Sequence, residues 1–443
     1  MTTIPTPRPP LRHRLAGSLT LAGLLTQILS FVLPIPAPLT SVLLWSSVAL
    51  MWRDIPHRNQ WQAGSLAVLG LVMLLLAWWI YGADIQILHI LDGNIFVAAM
   101  LVGVSFIALI GRPAEQAAPP ATRGITGRRG LAGTWLGVHL LGAILNLSTV
   151  FMVGDRLERR GPLTDSQLLG LNRGLSSAAL WSPFFASMGV VITLAPGLSY
   201  TDLVGIGLPL ALFSGLLTVF EVSRRFDVQH VAGFSLAPHS LLMPVSMASL
   251  VMLFHYVLTP DLTIVSIITL LMPSIALLAN LLRGGIGLAR TRIGRHIDYR
   301  LPAMRGEITL FLCAGLLTRG LSSLVDAATQ GDWTLFPDFS TLPAMASYLA
   351  IVISAIAGLH PIIGVSILAS MLDLDGAHQT LFGFVALASW AVGTSVGPLS
   401  GINLSLQGRY GVSGYRMMRH NLLYALIMSG LVLAGIAWLA RGL

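Results

Sequence analysis

Long apolar runs separated by short polar stretches make up most of the chain, and their lengths predict its elements. A helix needs about 20 apolar residues to cross a bilayer. Runs near or above that length cover 15–33, 36–52, 62–81, 93–110, 131–153, 166–195, 203–222, 240–258, 262–282, 307–325, 342–372, 380–406 and 422–439. The expected class is all-α and polytopic. One run carries its own breakers. At 393–403 the stretch GTSVGPLSGIN sets Gly393, Gly397, Pro398 and Gly401 among Thr394, Ser395, Ser400 and Asn403. A spanning helix pairs every backbone donor and acceptor within itself. An interruption in lipid is tolerated only where the freed groups meet protein, water or a solute.

Composition supports the membrane reading. The 443 residues are 55% hydrophobic and 10% charged, with a mean hydropathy of +0.79, whereas soluble chains carry about 25% charged residues. The net charge of +8 does not point to nucleic acid, because all 26 basic residues are Arg and most lie in short loops, where they set orientation. The one cysteine, Cys313, excludes an internal disulfide and reads as packing. Arg8, Arg12 and Arg14 precede the first run, which reads as a retained helix rather than a cleaved signal.

Arginine placement then predicts topology. The N-terminus, the Arg53/Arg58 loop, the loop 111–130 with Arg112, Arg123, Arg128 and Arg129, the Arg224/Arg225 loop, the cluster at 283–305 and the Arg409/Arg416/Arg419 loop are expected in the cytoplasm. Run 131–153 has arginines at both ends, so it enters and leaves from inside as a re-entrant hairpin. Run 342–372 ends in Asp373 and Asp375 with no arginine at either end, so it is a hairpin from outside. The count is about eleven spans plus two opposed hairpins. The N-terminus is then cytoplasmic and the C-terminus outside, in a bacterial inner membrane.

Both halves show two spans, a third span, a hairpin, a broken helix and a last span. The domains expected are an N-terminal tail with an extra helix at 1–35, a first repeat at 36–225 and an inverted second repeat at 226–443. Pro183 and Pro398 stand 215 positions apart, as do Asn146 and Pro361, and GNIFVAAMLVG at 93 resembles GEITLFLCAGL at 306. Internal similarity of this kind marks inverted-repeat carriers. The first hairpin tip reads LNLSTV, with Asn146, Ser148 and Thr149, and the first break contains Ser182 and Pro183. The second tip reads GLHPIIG, with His360 and Pro361, and the second break is GTSVGPLSGIN. A half-helix starting in mid-membrane points unpaired N–H groups and about half a positive charge into the site, which suits an anion. One that ends there offers carbonyls, which suit Na⁺. Ser, Thr and Asn complete either shell; the alternative is polar glue between helices.

This arrangement resembles the ion transporter superfamily of elevator-type carriers. That group includes the divalent-anion/sodium symporters, the arsenite permeases, sodium/proton antiporters of the same fold, and the citrate and dicarboxylate permeases. GTSVGPLSGIN is similar to the Gly-rich, Pro-containing break followed by Asn in those families, and LNLST to their hairpin tip. The resemblance covers 36–439 in architecture and four short stretches in residues. It implies a fixed scaffold of spans two, three, seven and eight, a moving block of hairpins and broken helices, and a homodimer in the lipid bilayer. It further implies a small-molecule substrate, most readily an organic or inorganic anion, coupling to Na⁺ or H⁺, and no other cofactor. The second tip departs from the pattern, carrying His360-Pro361 where Na⁺-coupled members have Ser, Asn and Thr.

Few titratable groups lie inside the runs picked out above. Arg319, within 307–325, reads either as a partner for a substrate anion, or as paired with Asp326 seven residues on along the same helical face, or as snorkelling outward. His360 reads either as a proton-coupling group or as a neutral cap of its tip. Glu307 and Asp155 read as solvated anchors, Trp181 and Trp390 as packing. GVSG at 411–414 echoes an intramembrane serine protease motif but falls in an arginine-flanked loop. No metal-binding cluster of Cys or His is evident. Three classes remain: a secondary carrier, an intramembrane hydrolase and a passive channel.

Overall fold

The computed structural model describes residues 9–110, 125–236, 242–330 and 333–442. Arg8, most of the loop 111–130 with Arg112 and Arg123, and the start of the run at 240 lie outside the described residues. Apart from one isolated bridge between Thr126 and Ala232, the described secondary structure is helical. In chain order come α1 (Leu11–Leu29), α2 (Ala37–Met51), α3 (His57–Tyr81) and α4 (Ile95–Ser105). Then follow α5 (Gly127–Leu145), α6 (Ser148–Glu158), α7 (Asp165–Ala178), α8 (Ala186–Leu194) and α9 (Tyr200–Arg225). Next are α10 (Leu242–Leu253), α11 (Ile264–Arg295), α12 (Leu301–Ala303) and α13 (Arg305–Thr329). The last are α14 (Thr341–Ile356), α15 (Pro361–Ala369), α16 (Gly376–Val396), α17 (Gly401–Tyr410) and α18 (Gly414–Leu439). Among the described residues, six helical stretches are long and apolar enough to cross a membrane.

The chain divides into two compact units, each drawing on both halves of the sequence. Unit 1 is Met1–Ala117 with Val265–Gly331, and unit 2 is Ala118–Ile264 with Asp332–Leu443. The expected four-span scaffold therefore differs from unit 1. α2, α3 and α11 belong to unit 1, but α10 belongs to unit 2, where it packs on α5, and α1, α4 and α13 join unit 1.

In unit 1 the main seam is α3 against α13. Glycines let the two backbones touch, which in a bilayer replaces the missing hydrophobic drive between helices. A Cβ on Gly70 would stand 2.6 Å from the Leu316 carbonyl oxygen, and one on Gly320 only 2.2 Å from that of Gly70. The approach of Gly93 to Gly315 is equally close, with a hypothetical Cβ 2.4 Å from the carbonyl. Asn94 adds a donor from its side-chain amide to the Phe311 carbonyl at 3.1 Å. The segment 283–305, expected as a loop, is largely helical. α11 continues into it across a kink at Gly284 and Gly285, where Gly285 takes φ 65°, a conformation open to glycine at little cost.

Unit 2 contains the same five-helix series twice: α5–α9 and α14–α18. In each series the first helix packs on the second and third, and the third packs on the fifth. α8 and α17 begin 215 positions apart, and α9 and α18 begin 214 apart. The breaks have local causes. Pro disfavours a helical conformation in the residue before it. Ser182-Pro183 lies between α7 and α8, and Gly397-Pro398 between α16 and α17, where Gly397 is extended at φ −64°, ψ 120°. Between α5 and α6 the chain turns at Asn146, with φ 52° and ψ −141°. Between α14 and α15 it turns at Gly358, with φ 106°. α16 is the centre of the unit, buried from Thr380 to Val396. α9 and α18 instead leave Leu216, Phe220 and Leu426 exposed, as lipid-facing helices do.

The glycine seam makes a direct prediction. Gly70→Val should lower stability by about 1–3 kcal/mol through overpacking. Gly64→Ala, on the same helix with its nearest neighbours 3.7 Å away, should not. Thermal unfolding of the two purified variants checks the difference.

Candidate solute-binding site

Each hairpin tip in unit 2 seats on the broken helix of its own half. At the first, the Asn146 amide donates to the Phe184 carbonyl at 3.1 Å. The Ser182 hydroxyl donates to the Ala143 carbonyl and accepts from the Phe184 amide at 3.2 Å. Asn146, Ser182 and Pro183 are thus brought together, with the Asn146 side-chain amide spent on the break. Ser148 opens α6 and is half-buried. Thr149 follows and is fully buried, yet its hydroxyl has no partner among the described residues. Ser176, late in α7, is buried with an equally unpartnered hydroxyl. Neither α6 nor α8 has a side-chain cap at its N-terminus.

The second tip is closed differently. His360 caps α15, its Nδ1 accepting from the Ile362 amide at 3.2 Å, so the ring is neutral with its proton on Nε2. Its edge meets Trp390 with ring centroids 5.2 Å apart. Pro361, first in α15, has no N–H to leave unpaired. The tip lies so close to α16 that a Cβ on Gly393 would be 2.8 Å from Pro361 Cγ, and one on Gly397 3.0 Å from the Ala355 carbonyl. Thr394 and Ser395 turn their hydroxyls back onto their own helix, to Trp390 and Val392, both at 2.7 Å. Pro398 lies in the break, and Ser400 caps α17 by accepting from the Asn403 amide at 3.4 Å.

Asn403 is fully buried and acts as a clip. Its Nδ2 reaches the Ser395 carbonyl at 3.3 Å and the Gly397 carbonyl at 2.9 Å, covering acceptors freed where α16 stops. Its Oδ1 accepts from Asn172 Nδ2 at 2.8 Å, which joins the first broken helix to the second. Asn421 of α18 donates to the Ser395 carbonyl at 2.8 Å as well.

Behind these amides lies an ion cluster that the sequence reading passed over. Arg173, in the middle of α7, has no solvent exposure. Its Nε donates to Asn421 Oδ1 at 2.7 Å, and one terminal nitrogen reaches Glu221 Oε2 at 2.6 Å. The other terminal nitrogen reaches the His420 carbonyl at 3.2 Å. The guanidinium lies 4.4 Å over the Tyr424 ring. Glu221 also holds Arg225 one turn on, so two cations share one carboxylate. The signal was present: Arg173 interrupts run 166–195 and Glu221 run 203–222, and an ionisable group inside an apolar span is a site hypothesis by default. His139 was missed too. It stacks on Trp135 with centroids 4.6 Å apart and its Nε2 accepts from Trp181 Nε1 at 3.1 Å. That leaves Nδ1 as the donor to the Gly174 carbonyl at 3.2 Å.

Other expectations fall elsewhere. Asp155 is a surface anchor, accepting from Arg409 at 2.9 Å and from the Tyr410 hydroxyl at 2.9 Å. Ser413 of the GVSG stretch is exposed at the turn before α18. Arg319 belongs to unit 1, where it is exposed beside a cleft. Asp326 lines the same cleft, but the two form no ion pair.

No family model matches this sequence, and no curated protein does. Among solved structures the chain is similar to the Alcanivorax borkumensis YdaH transporter, whose crystal structure is described as revealing an unusual topology. The TM-score is 0.49 at 12% identity, over 87% of this chain and 99% of that one.

The ion cluster makes an ordered prediction. Glu221→Leu strands a fully buried cation and should cost about 3–5 kcal/mol. Arg173→Met should cost less, since Glu221 keeps Arg225. The double variant should recover most of the loss suffered by Glu221→Leu. Chemical unfolding of the three variants measures the order.

Proposed function

We propose that the chain is a multi-pass secondary carrier for a small polar solute, an organic or inorganic anion, driven by Na⁺ or H⁺ across a bacterial inner membrane. In this reading the series α5–α8 and α14–α17 are two opposed hairpins and two broken helices within about eleven spans. Unit 2 moves as an elevator and unit 1 serves as the frame of a homodimer. The observation that carries the proposal is the twice-repeated interrupted helix at the buried centre of one unit. A break at membrane depth is tolerated only against protein or a polar cavity, and carriers use such breaks to hold solutes.

The unequal closure of the two tips supports a narrower assignment of the site. At the second tip His360, Pro361 and Ser400 take up the helix starts. At the first, α6 and α8 begin without side-chain caps, and the hydroxyls of Thr149 and Ser176 are buried and unsatisfied. Amide N–H groups with a positive helix end suit a carboxylate or oxyanion. We therefore assign solute binding to Asn146, Ser148, Thr149 and the break at Ser182-Pro183. Gly393, Thr394, Ser395, Gly397, Pro398 and Asn403 are assigned to holding the second break in shape.

Uptake into proteoliposomes tests this. Asn146→Ala and Thr149→Val should each cut uphill uptake at least about tenfold, the scale of one lost hydrogen bond to a charged group, in protein that stays monodisperse. A screen of carboxylates, amino acids and oxyanions by thermal stabilisation supplies the substrate. Wild-type uptake in both variants would refute the site. Flux unaffected by collapsing both the Na⁺ and H⁺ gradients would indicate a channel instead.

A further inference from the structure

On α13 in unit 1, Arg319, Ser322, Ser323 and Asp326 recur at the i, i+3, i+4, i+7 spacing that places side chains on one helix face. That polar stripe lines a cleft of about 620 Å³. The opposite wall includes Tyr81 and Asp84, where α3 has ended at Gly82 with φ 66°. Arg319, Asp84 and Asp326 are all exposed. Among the described residues none of the three takes part in an ion pair, although they share one cleft. The cleft's histidine is already engaged: His89 Nδ1 lies 2.6 Å from Asp92, which also accepts from Ser41.

Aromatic residues fix the height of the cleft. Trp78, Trp79 and Tyr81 at the end of α3 are 58%, 81% and 49% exposed, and Trp61 near its start is 79% exposed. Trp and Tyr collect at the two edges of the hydrocarbon layer. Trp61 and Trp79 are 18 residues apart, or about 27 Å along a helix, close to the roughly 30 Å hydrocarbon thickness. The cleft therefore opens at head-group level. Below it the apolar side of α3 continues with exposed Leu71 and Leu75.

A cleft at that level offers one free cation with two hydroxyls and two free carboxylates. We infer that it holds the head group of a zwitterionic aminophospholipid. The phosphate lies on Arg319, Ser322 and Ser323, the primary ammonium on Asp84 and Asp326, and the acyl chains run down α3. A glycerol head group would leave both carboxylates without a cation. A choline head group has no N–H to donate to them. This inference needs only a membrane-embedded unit 1, not transport.

Native mass spectrometry of the detergent-purified full chain tests it, with dioleoyl phosphatidylethanolamine, phosphatidylcholine, phosphatidylglycerol and soluble phosphoethanolamine as probes. The ethanolamine lipid should bind about tenfold more tightly than the other two lipids, as expected for charge-assisted hydrogen bonds. Arg319→Gln, an exposed substitution, should remove that preference. Asp84→Asn with Asp326→Asn should shift it towards phosphatidylglycerol. Equal binding of the three lipids by the wild type, or an unchanged preference in Arg319→Gln, overturns the inference. Binding of soluble phosphoethanolamine as tight as that of the lipid overturns the lipid assignment.

Discussion

A carbonyl or amide released from a helix in a water-poor interior has to be met by another group, and much of unit 2 is arranged to do so. An unmet buried donor or acceptor costs about 1–3 kcal/mol, and each of the two broken helices frees several. Asn403 covers two carbonyls where α16 ends, and Asn421 adds a second donor to one of them. Asn146 and Ser182 perform the same service across the first break. The buried guanidinium of Arg173 then orients Asn421 from behind and is itself held by Glu221. Backbone pairing, amide orientation and charge balance form one connected arrangement. Disturbing the ion cluster should be felt at the break of α16, two hydrogen bonds away.

The interruptions were legible in the sequence because their causes are local. Pro183, Pro361 and Pro398 fix their own φ and restrict the residue before each, and the glycines around them admit the turns the chain makes there. The 215-residue spacing of the two prolines recurs in the starts of α8 and α17. The Arg173 cluster was not legible in the same way. Its partners lie 48 and 248 positions away, and counting arginines for topology treats each as a loop marker. The helix across 283–305 was hidden because two glycines and many arginines read as a loop, whereas the chain kinks at Gly284 and Gly285 and then resumes its helix.

Individual site residues divide along the same physical line. Thr394 and Ser395 looked able to line a pocket, but the nearest acceptor for a helical hydroxyl is the preceding turn of its own helix, and both take it. Asn403 spends its side-chain amide on the protein's own backbone. His360 caps its tip through Nδ1. Thr149 is the candidate whose hydroxyl stays unspent. No reading of spacing separates it from Ser148 beside it. Their burial does: Thr149 is fully buried and Ser148 half-buried.

The backbone-to-backbone contact of α3 with α13 also bears on how unit 1 responds to its surroundings. Where Gly70 meets Leu316 and Gly320, no side chain lies between the main chains. Such a joint has no rotamers to freeze on assembly and none to thaw on warming. Its tightness should therefore change little with temperature or lipid fluidity, which gives unit 1 the mechanical character of a rigid strut rather than a cushion.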